Sequence, residues 1–254
     1  MRKLCLLIIF ILAGCKAPLI DYYKKDEQHL ERVNVKKLDQ YFKGKHEIGE
    51  ELLSYSDEQF YLKKRIGSTI SLLHAVRKNK TILSLDINEY DGDTLKTKEY
   101  YSDGRLKYKV NSYLQRQINV TGIGLVGIAS YKFGVSQYYK QNGNSIEEVN
   151  YDSIFKFTMQ DVIEVIKKDN EIKDGNSSVG RFYFSTKIDS EFNLASIREL
   201  NKAGIAVMAN HPYWNINKTV PSQQGTSSNY TEIWIDGTNG NIVGTKAYPI
   251  ITKI

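Results

Sequence analysis

The feature that most constrains the fold is a regular succession of strand-like segments across residues 46–156. Short runs rich in aromatic and β-branched residues alternate there with Asp-Gly, Asn-Gly and Lys-Asn turns, which join neighbouring antiparallel strands. The runs are FYLKKRI, TISLLHAV, KTILSLDINEY, TLKTKEYY, RLKYKVNSYL, QYY and SIEEVNY. The pattern predicts an antiparallel β-meander that forms a domain of its own.

The chain changes character after residue 156. The segment TMQDVIEVIKKDNEI begins with Thr158, has Asp161 three residues later and carries an apolar face, which predicts a capped helix. Strands are predicted in VGRFYFSTKI, IAVMANHPYWNINKT and NYTEIWIDGTNGNIVGTKAYPI, and a short helix in LASIRELNKAG ends near Gly204. Residues 157–254 are therefore expected to form a helix-on-antiparallel-sheet domain, and the whole chain belongs to the α+β class.

Strand alternation near the carboxyl terminus makes a sharper prediction. Ile233 and Ile235 should lie on the face opposite Trp234, with one of these sets beneath the helix that carries Val162 and Ile166. A buried residue costs more to truncate than an exposed one. We therefore expect Ile233→Ala and Trp234→Ala to differ clearly in melting temperature.

The amino terminus is typical of an exported protein. Arg2 and Lys3 precede an apolar run from Leu4 to Ala13, and small residues follow. The run is too short to span a hydrocarbon core of about 30 Å as a helix. It predicts a secretory signal rather than a permanent membrane anchor.

The end of this signal resembles the lipobox of bacterial lipoproteins, with Leu12, Ala13 and Gly14 before Cys15. The resemblance implies that the Cys15 sulfur receives a diacylglyceryl group and that residues 1–14 are removed as a signal peptide. The mature chain would then begin with a tether and helix in residues 15–45, the helix lying in EQHLERVNVKKLDQYF. We expect a protein that is lipid-anchored to a membrane of the bacterial cell envelope, on its extracytoplasmic side.

Cysteine content and charge exclude several other classes. The chain has 2 cysteines, Cys5 in the signal and Cys15 at the lipidation position, so the mature domain has no disulfide or free catalytic thiol. Loss of Arg2 and Lys3 lowers the formal net charge from +6 to +4. These charges are interspersed rather than clustered, and we expect no nucleic-acid partner.

The segment TGIGLVG, residues 121–127, has the glycine spacing of a dinucleotide-binding turn. That turn requires a helix immediately after it, whereas IASYKFGVSQYY is typical of a strand. We therefore interpret the glycines as part of an apolar hairpin or bend and expect no cofactor.

The final hundred residues resemble a PepSY-type domain. The resemblance lies in an apolar strand that ends at Asp236, the turn Gly237-Thr238-Asn239-Gly240 and the following Asn-Ile-Val-Gly. It covers about residues 158–247 and implies a module that binds or restrains peptidases, without catalytic residues of its own. Trp214, Tyr230 and Trp234 are the candidate binding residues, although a tryptophan on a helix-covered sheet more often belongs to the core.

A second, weaker resemblance lies in the middle of the chain. Tyr100-Tyr101-Ser102-Asp103-Gly104 and Tyr138-Tyr139-Lys140-Gln141-Asn142-Gly143 are similar to the MORN-variant repeats of bacterial lipoproteins. Tyrosine pairs are also good strand residues and Asp-Gly or Asn-Gly a good hairpin turn, so both interpretations predict the same antiparallel sheet.

Motifs of enzyme chemistry are not evident in the sequence. His29, His46, His74 and His211 have no metal-binding spacing, and no nucleophile elbow is present. The expected function is a non-enzymatic, lipid-anchored module that binds an envelope protein or peptidase, as an inhibitor or immunity protein. A structural or assembly lipoprotein is an alternative, and so is a hydrolase whose carboxylates come from distant strands.

Overall fold

A computed structural model describes residues 18–25, 28–114, 116–120, 124–128, 131–168, 177–221 and 228–249. The predicted signal peptide and Leu12, Ala13, Gly14 and Cys15 lie outside the described residues. The strands are β1 Ile20–Lys25, β2 Gln28–Val33, β3 Glu50–Tyr55, β4 Gln59–Ile66, β5 Thr69–Lys78, β6 Thr81–Asp91, β7 Thr94–Tyr100, β8 Leu106–Tyr113, β9 Arg116–Val120, β10 Gly124–Ile128, β11 Tyr131–Tyr139, β12 Ser145–Asn150, β13 Ser177–Tyr183, β14 Pro212–Pro221, β15 Ser228–Asp236 and β16 Ile242–Pro249. The helices are α1 Val35–Tyr41, α2 Tyr151–Ile154, α3 Met159–Lys168 and α4 Ser190–Lys202. Within these ranges, no helix is both long and apolar enough to cross a membrane.

An eight-stranded antiparallel sheet is the larger of the two main sheets. Its strand order is β12-β11-β8-β7-β6-β5-β4-β3, so β3 to β8 follow one another as a meander. The predicted α+β class and the predicted strands of this meander are confirmed. The strand β3, which forms one edge of the sheet, was not predicted.

The second main sheet has six strands in the order β16-β15-β14-β13-β10-β9. Its pairs are antiparallel except β10–β13, which is parallel. The hairpin β9–β10 comes from the middle of the chain but joins this carboxyl-terminal sheet. The expected domain boundary at residues 156/157 therefore does not coincide with the division between the sheets.

The register of β15 follows the predicted alternation. Ile233 and Ile235 pack in one cluster with Val162 and Ile166 of α3. Trp234 packs on the opposite face, in the cluster that contains Ile197 of α4. Because both faces of β15 are covered here, the side chains of Ile233, Trp234 and Ile235 are all buried. The expected clear difference in melting temperature between Ile233→Ala and Trp234→Ala required one of the two faces to be exposed, and neither face is exposed at these residues.

One hydrophobic core joins the two main sheets. It contains Val110, Tyr138 and Val149 from the eight-stranded sheet, together with Trp214 and Ile216 from the six-stranded sheet. The α3 helix completes this core. Its predicted start is confirmed, because Thr158 and Asp161 exchange backbone-to-side-chain hydrogen bonds of 2.7 and 3.2 Å.

The other face of the eight-stranded sheet is covered by amino-terminal elements. The helix predicted in EQHLERVNVKKLDQYF is only partly correct, since residues 28–33 form β2 and the helix begins at Val35. The Asn34 side chain caps α1 by accepting from the Lys37 amide, 3.4 Å away. Glu31 of β2 binds the buried Lys98 ammonium group at 3.0 Å, and this ion pair ties the amino-terminal hairpin to the sheet.

The repeat in the middle of the chain is a repeat of turns. Gly104 donates to the Tyr101 carbonyl and Gly143 to the Lys140 carbonyl, at 2.8 and 2.7 Å, and both glycines have positive φ. Tyr101 and Lys140 therefore occupy the same position in the two turns. An alignment of the tyrosine pairs would instead match Tyr101 with Tyr139, so the structural correspondence differs from the sequence repeat by one residue. The turns also contact each other, since the Tyr101 hydroxyl donates to the Tyr139 carbonyl at 2.7 Å.

We expect Ile233→Ala and Trp234→Ala each to lower the free energy of unfolding by about 2–5 kcal/mol, because each opens a cavity in a covered face. Ile242→Ala is the matched control, since this residue of the adjacent β16 strand is exposed and should cost less than about 0.5 kcal/mol. Urea unfolding of the three variants measures these differences. A small loss for either β15 variant would contradict the two-faced burial of the strand.

Candidate functional site

The sequence-predicted binding residues lie mostly in the core. Trp214 is 0% exposed, and its indole N–H donates to the Phe157 carbonyl at 2.8 Å. Trp234 is 5% exposed and packs beside Phe184. Tyr230 is half-buried and contacts the ring of Tyr248. The two indoles therefore have little or no surface with which to contact a partner.

The Asp236 turn has the structure expected from its sequence. Asp236 accepts a hydrogen bond from the Thr238 amide at 2.7 Å, and Gly240 has a φ of 78°. Burial alone would raise the pKa of Asp236, but the hydrogen bonds from Thr238 and the adjacent His211 outweigh it and lower the pKa. His211 lies 2.9 Å from the Asp236 carboxylate, which assigns this histidine to the turn.

The glycine-rich segment is a hairpin, as predicted. The strand β9 precedes it and pairs antiparallel with β10, which contains residues 124–127; residues 121–123 lie outside the described residues. A Cβ on Gly127 would lie 3.2 Å from the Ser177 carbonyl oxygen, so glycine permits the close approach of β13. Its described part therefore has a packing role.

The most distinctive polar feature was not predicted: a row of side chains that crosses the eight-stranded sheet. Directly paired residues of neighbouring strands lie on the same face of a sheet. Seven strands that are neighbours in this sheet, from β4 to β12, each place one ionisable residue in the row. Its members are Tyr61, His74, Asp86, Glu99, Tyr108, Tyr138 and Glu147. We call this set the cross-sheet row.

Direct contacts link the first half of the cross-sheet row. The ring of Tyr61 stacks on His74 with centroids 4.2 Å apart. His74 Nδ1 lies 3.0 Å from one Asp86 carboxylate oxygen, and the Asn88 amide donates to the other oxygen at 2.8 Å. Burial raises the pKa of Asp86 despite the opposing effect of His74, and the neighbouring negative charge of Glu99 raises it further.

The second half of the cross-sheet row forms the floor of a cavity. Glu99 binds the Lys107 ammonium group at 2.5 Å. Burial raises the pKa of the Tyr108 hydroxyl, and the charge of Glu99 adds to this effect. Tyr108 and Tyr138 have ring centroids 5.8 Å apart. The cavity above them has a volume of about 500 Å³.

The wall of the cavity is the loop of residues 185–189, which joins β13 to α4. The Ser185 hydroxyl donates to the Glu147 carboxylate at 2.5 Å, so the last member of the cross-sheet row holds the loop. The Asn193 side chain donates to the Ser185 and Ile188 carbonyls at 2.9 and 2.8 Å. With its ends fixed, the loop is pre-organised and places Lys187, Ile188 and Asp189 along the cavity.

Polar and aromatic groups converge on this cavity from the eight-stranded sheet and from the loop of residues 185–189. Lys132, on its rim, donates to the Tyr138 hydroxyl at 3.1 Å. Other lining groups are Thr97, Tyr101, Val110, Ser112, Tyr139 and Ile146. A cavity of this size with a few placed polar groups is the usual form of a binding site.

The described residues contain no cluster of three or more His, Cys, Asp or Glu side chains arranged to hold a metal ion. Comparisons with protein-family models, with curated proteins and with solved structures give no match to this chain. The assignment of function therefore depends on the geometry of the cavity and on the sequence signals.

The raised pKa of Asp86 in the cross-sheet row predicts how the stability of the protein depends on pH. Because the pKa of Asp86 is raised above its ordinary 3.8, the folded protein holds this proton more tightly than the unfolded chain does. The contribution of Asp86 to stability is therefore greatest below about pH 4 and declines as the pH rises through the raised pKa.

Asp86→Asn removes the pH-dependent loss of stability that ionisation of Asp86 causes. The stability of the variant relative to the parent should therefore rise between about pH 4 and the raised pKa of Asp86. Urea unfolding at a series of pH values measures the difference. Asp91→Asn, at the exposed end of the same strand, controls for loss of one negative charge. If Asp86→Asn and Asp91→Asn give the same pH profile, burial of Asp86 does not perturb its ionisation.

Proposed function

We propose that this chain is a lipid-anchored lipoprotein of the bacterial cell envelope that functions by binding another protein. The observation that carries the proposal is the cavity of about 500 Å³ between the cross-sheet row and the loop of residues 185–189. The cavity is the recognition site, and an inserted segment of the partner is its ligand. The LAGC signal supports attachment through Cys15 and a location outside the cytoplasmic membrane.

The geometry favours binding over catalysis because Glu99, which lines the cavity, and its neighbour in the cross-sheet row, Asp86, already have partners. Asp86 interacts with both His74 and Asn88, and Glu99 with Lys107. A hydrolase that used these two carboxylates would need one to deliver a proton and the other to reach substrate. Their existing partners support a structural and recognition role for both.

The charges around the cavity indicate the chemistry of the partner. Lys107 is neutralised by Glu99, whereas the described residues offer no ion pair to Lys132 or Lys187. Asp189 is the remaining acidic residue of the lining. The net positive rim favours an acidic segment, with tyrosine rings and hydroxyls to contact its backbone and side chains.

An envelope peptidase or a toxin would fit this role, with the chain acting as an inhibitor or immunity protein. This choice follows from the PepSY-type resemblance and remains part of the proposal. A purely structural lipoprotein is the alternative that needs no cavity ligand. Site-directed cross-linking distinguishes the two.

We expect a photo-reactive amino acid at Ser112, inside the cavity, to capture a specific protein in intact producing cells. The same group at Ile242, exposed on β16, is the matched control and should not capture that protein. Lys132→Ala combined with Lys187→Ala should reduce capture about tenfold, because two rim cations are lost.

The fold of each variant is checked by thermal unfolding. Identical products from Ser112 and Ile242, or no product from Ser112, would contradict a cavity that binds protein. Attachment is tested separately by incorporation of labelled fatty acid, which should disappear with Cys15→Ser.

A further inference from the structure

A second cavity, of about 450 Å³, lies between the amino-terminal elements and the eight-stranded sheet. Its lining comes from the start of the described chain, from α1 and the loop after it, and from strands β3 to β6. Leu73 lines it, whereas His74, the next residue of β5, belongs to the cross-sheet row. This cavity is therefore on the opposite face of the sheet from the cross-sheet row. We call it the amino-terminal cavity.

One end of the amino-terminal cavity is apolar and closed. Leu62, Leu73 and Ile87 are direct partners across β4, β5 and β6, and all three are buried. Leu19 and Ile20, at the start of the described chain, pack against the same hydrophobic cluster. A ligand at this end would therefore contact aliphatic side chains.

The other end of the cavity is polar and open. Lys64 and Ile66 follow Leu62 on the same face of β4, and both are exposed. Their cross-strand partners on β5 are Ser71 and Thr69. Leu62 and Ile66 are about 13 Å apart along the strand. The cavity therefore has a mouth beside the β4–β5 turn and an apolar end about 13 Å further in.

The charges that line the cavity balance one another. Glu47 contacts Lys37 at 2.9 Å, and Glu89 contacts a buried lysine of β7 at 2.8 Å. Lys64 and Glu50 are cross-strand partners with opposite formal charges. With each sign matched by the other, the lining gives a charged ligand little advantage over an uncharged one.

These features together fit a linear acyl chain with an uncharged head group. The aliphatic side chains at the closed end match the tail, and the hydroxyls of Ser71 and Thr69 match a head group that forms hydrogen bonds. An extended alkyl chain of about ten carbons has the length of the cavity, because its C–C bonds are about 1.5 Å long and zigzag.

The start of the described chain brings a source of such an acyl chain to the cavity. Pro18 and Leu19 line the cavity, and the Leu19 carbonyl accepts from the Asn34 amide at 2.8 Å. The chain from Pro18 back to Cys15 extends at most about 10 Å. The diacylglyceryl group proposed for Cys15 is uncharged, so it has the chemistry that the lining favours.

We propose that the amino-terminal cavity binds a linear acyl chain with an uncharged head group, and that the lipid on Cys15 supplies this chain. Its tail lies against Leu62, Leu73 and Ile87, and the other acyl chain of the lipid is left for the membrane. The choice of Cys15 as the source rests on the proposed lipid anchor, whereas the binding of an acyl chain does not.

The first experiment measures calorimetric binding of monoacylglycerols to the mature chain with Cys15→Ser. We expect the affinity to rise about fourfold with each added methylene, since a buried methylene contributes about 0.8 kcal/mol. The rise should stop at about ten carbons, when the tail reaches the closed end. Affinity that is independent of chain length, or tighter binding of the fatty acid with the same chain, would overturn the proposed ligand.

Variants locate the bound chain. Ser71→Trp fills the amino-terminal cavity and should weaken binding at least about tenfold, whereas Ser112→Trp, in the cavity on the opposite face, should leave it unchanged. Leu73→Ala enlarges the closed end, so the affinity should go on rising for about three more carbons. Thermal unfolding checks each fold. Equal losses in the two tryptophan variants, or the same length limit in Leu73→Ala and the parent, would contradict binding at this site.

A second experiment tests Cys15 as the source. Cys15 is the only cysteine of the mature chain, so a maleimide modifies that thiol alone. A decyl maleimide adduct should bind free monoacylglycerol at least about tenfold more weakly, because its tethered chain occupies the cavity at high effective concentration. The methyl maleimide adduct is the matched control and should bind like the Cys15→Ser chain. Equal affinities of the two adducts would overturn Cys15 as the source.

Incorporation of labelled fatty acid in intact cells tests the lipid anchor separately. Labelling of the natural chain without acyl-chain binding by the Cys15→Ser chain would overturn the cavity proposal alone. Acyl-chain binding without labelling would support the ligand class but overturn the anchor, and with it Cys15 as the natural source.

Discussion

The packing of the six-stranded sheet against strands β8, β11 and β12 of the eight-stranded sheet is the contact on which the rest of the structure depends. Arg181 lies at its centre, with its guanidinium carbon 4.7 Å from the ring centroids of Phe155 and Trp214 and 4.9 Å from that of Tyr131. This contact buries the shared core and brings the loop of residues 185–189 over the cross-sheet row. Without it, the cavity would have a floor but no wall.

Local signals in the sequence predicted much of the fold, because they specify local structure. The capping pair Thr158 and Asp161 located α3, and alternation around Trp234 gave the correct faces of β15. Two features depended on distant contacts and were missed. Residues 28–33 have a helical composition but pair with β1, and the hairpin β9–β10 gains its partner β13 from about fifty residues further along the chain.

The cross-sheet row could not be predicted because its alignment depends on β-bulges. Lys78 pairs with Thr81 at the β5–β6 turn, and a regular ladder from there would place His74 opposite Leu85. An extra residue at Leu83 shifts the pairing by one and brings His74 opposite Asp86. A similar shift at Lys107 aligns Glu99 with Tyr108. The ionisable residues were visible in the sequence, but their register was not.

The central claim is that both main sheets form one cooperative unit, so that the floor and wall of the cavity are fixed together. Both tryptophans of the chain, Trp214 and Trp234, lie in the six-stranded sheet, and their fluorescence reports its unfolding. Hydrogen exchange of the β5–β6 amides reports the far half of the eight-stranded sheet. The most direct measurement follows both probes across one urea series. Coincident transitions with equal free energies are predicted, whereas β5–β6 protection that outlasts the tryptophan transition would contradict the account.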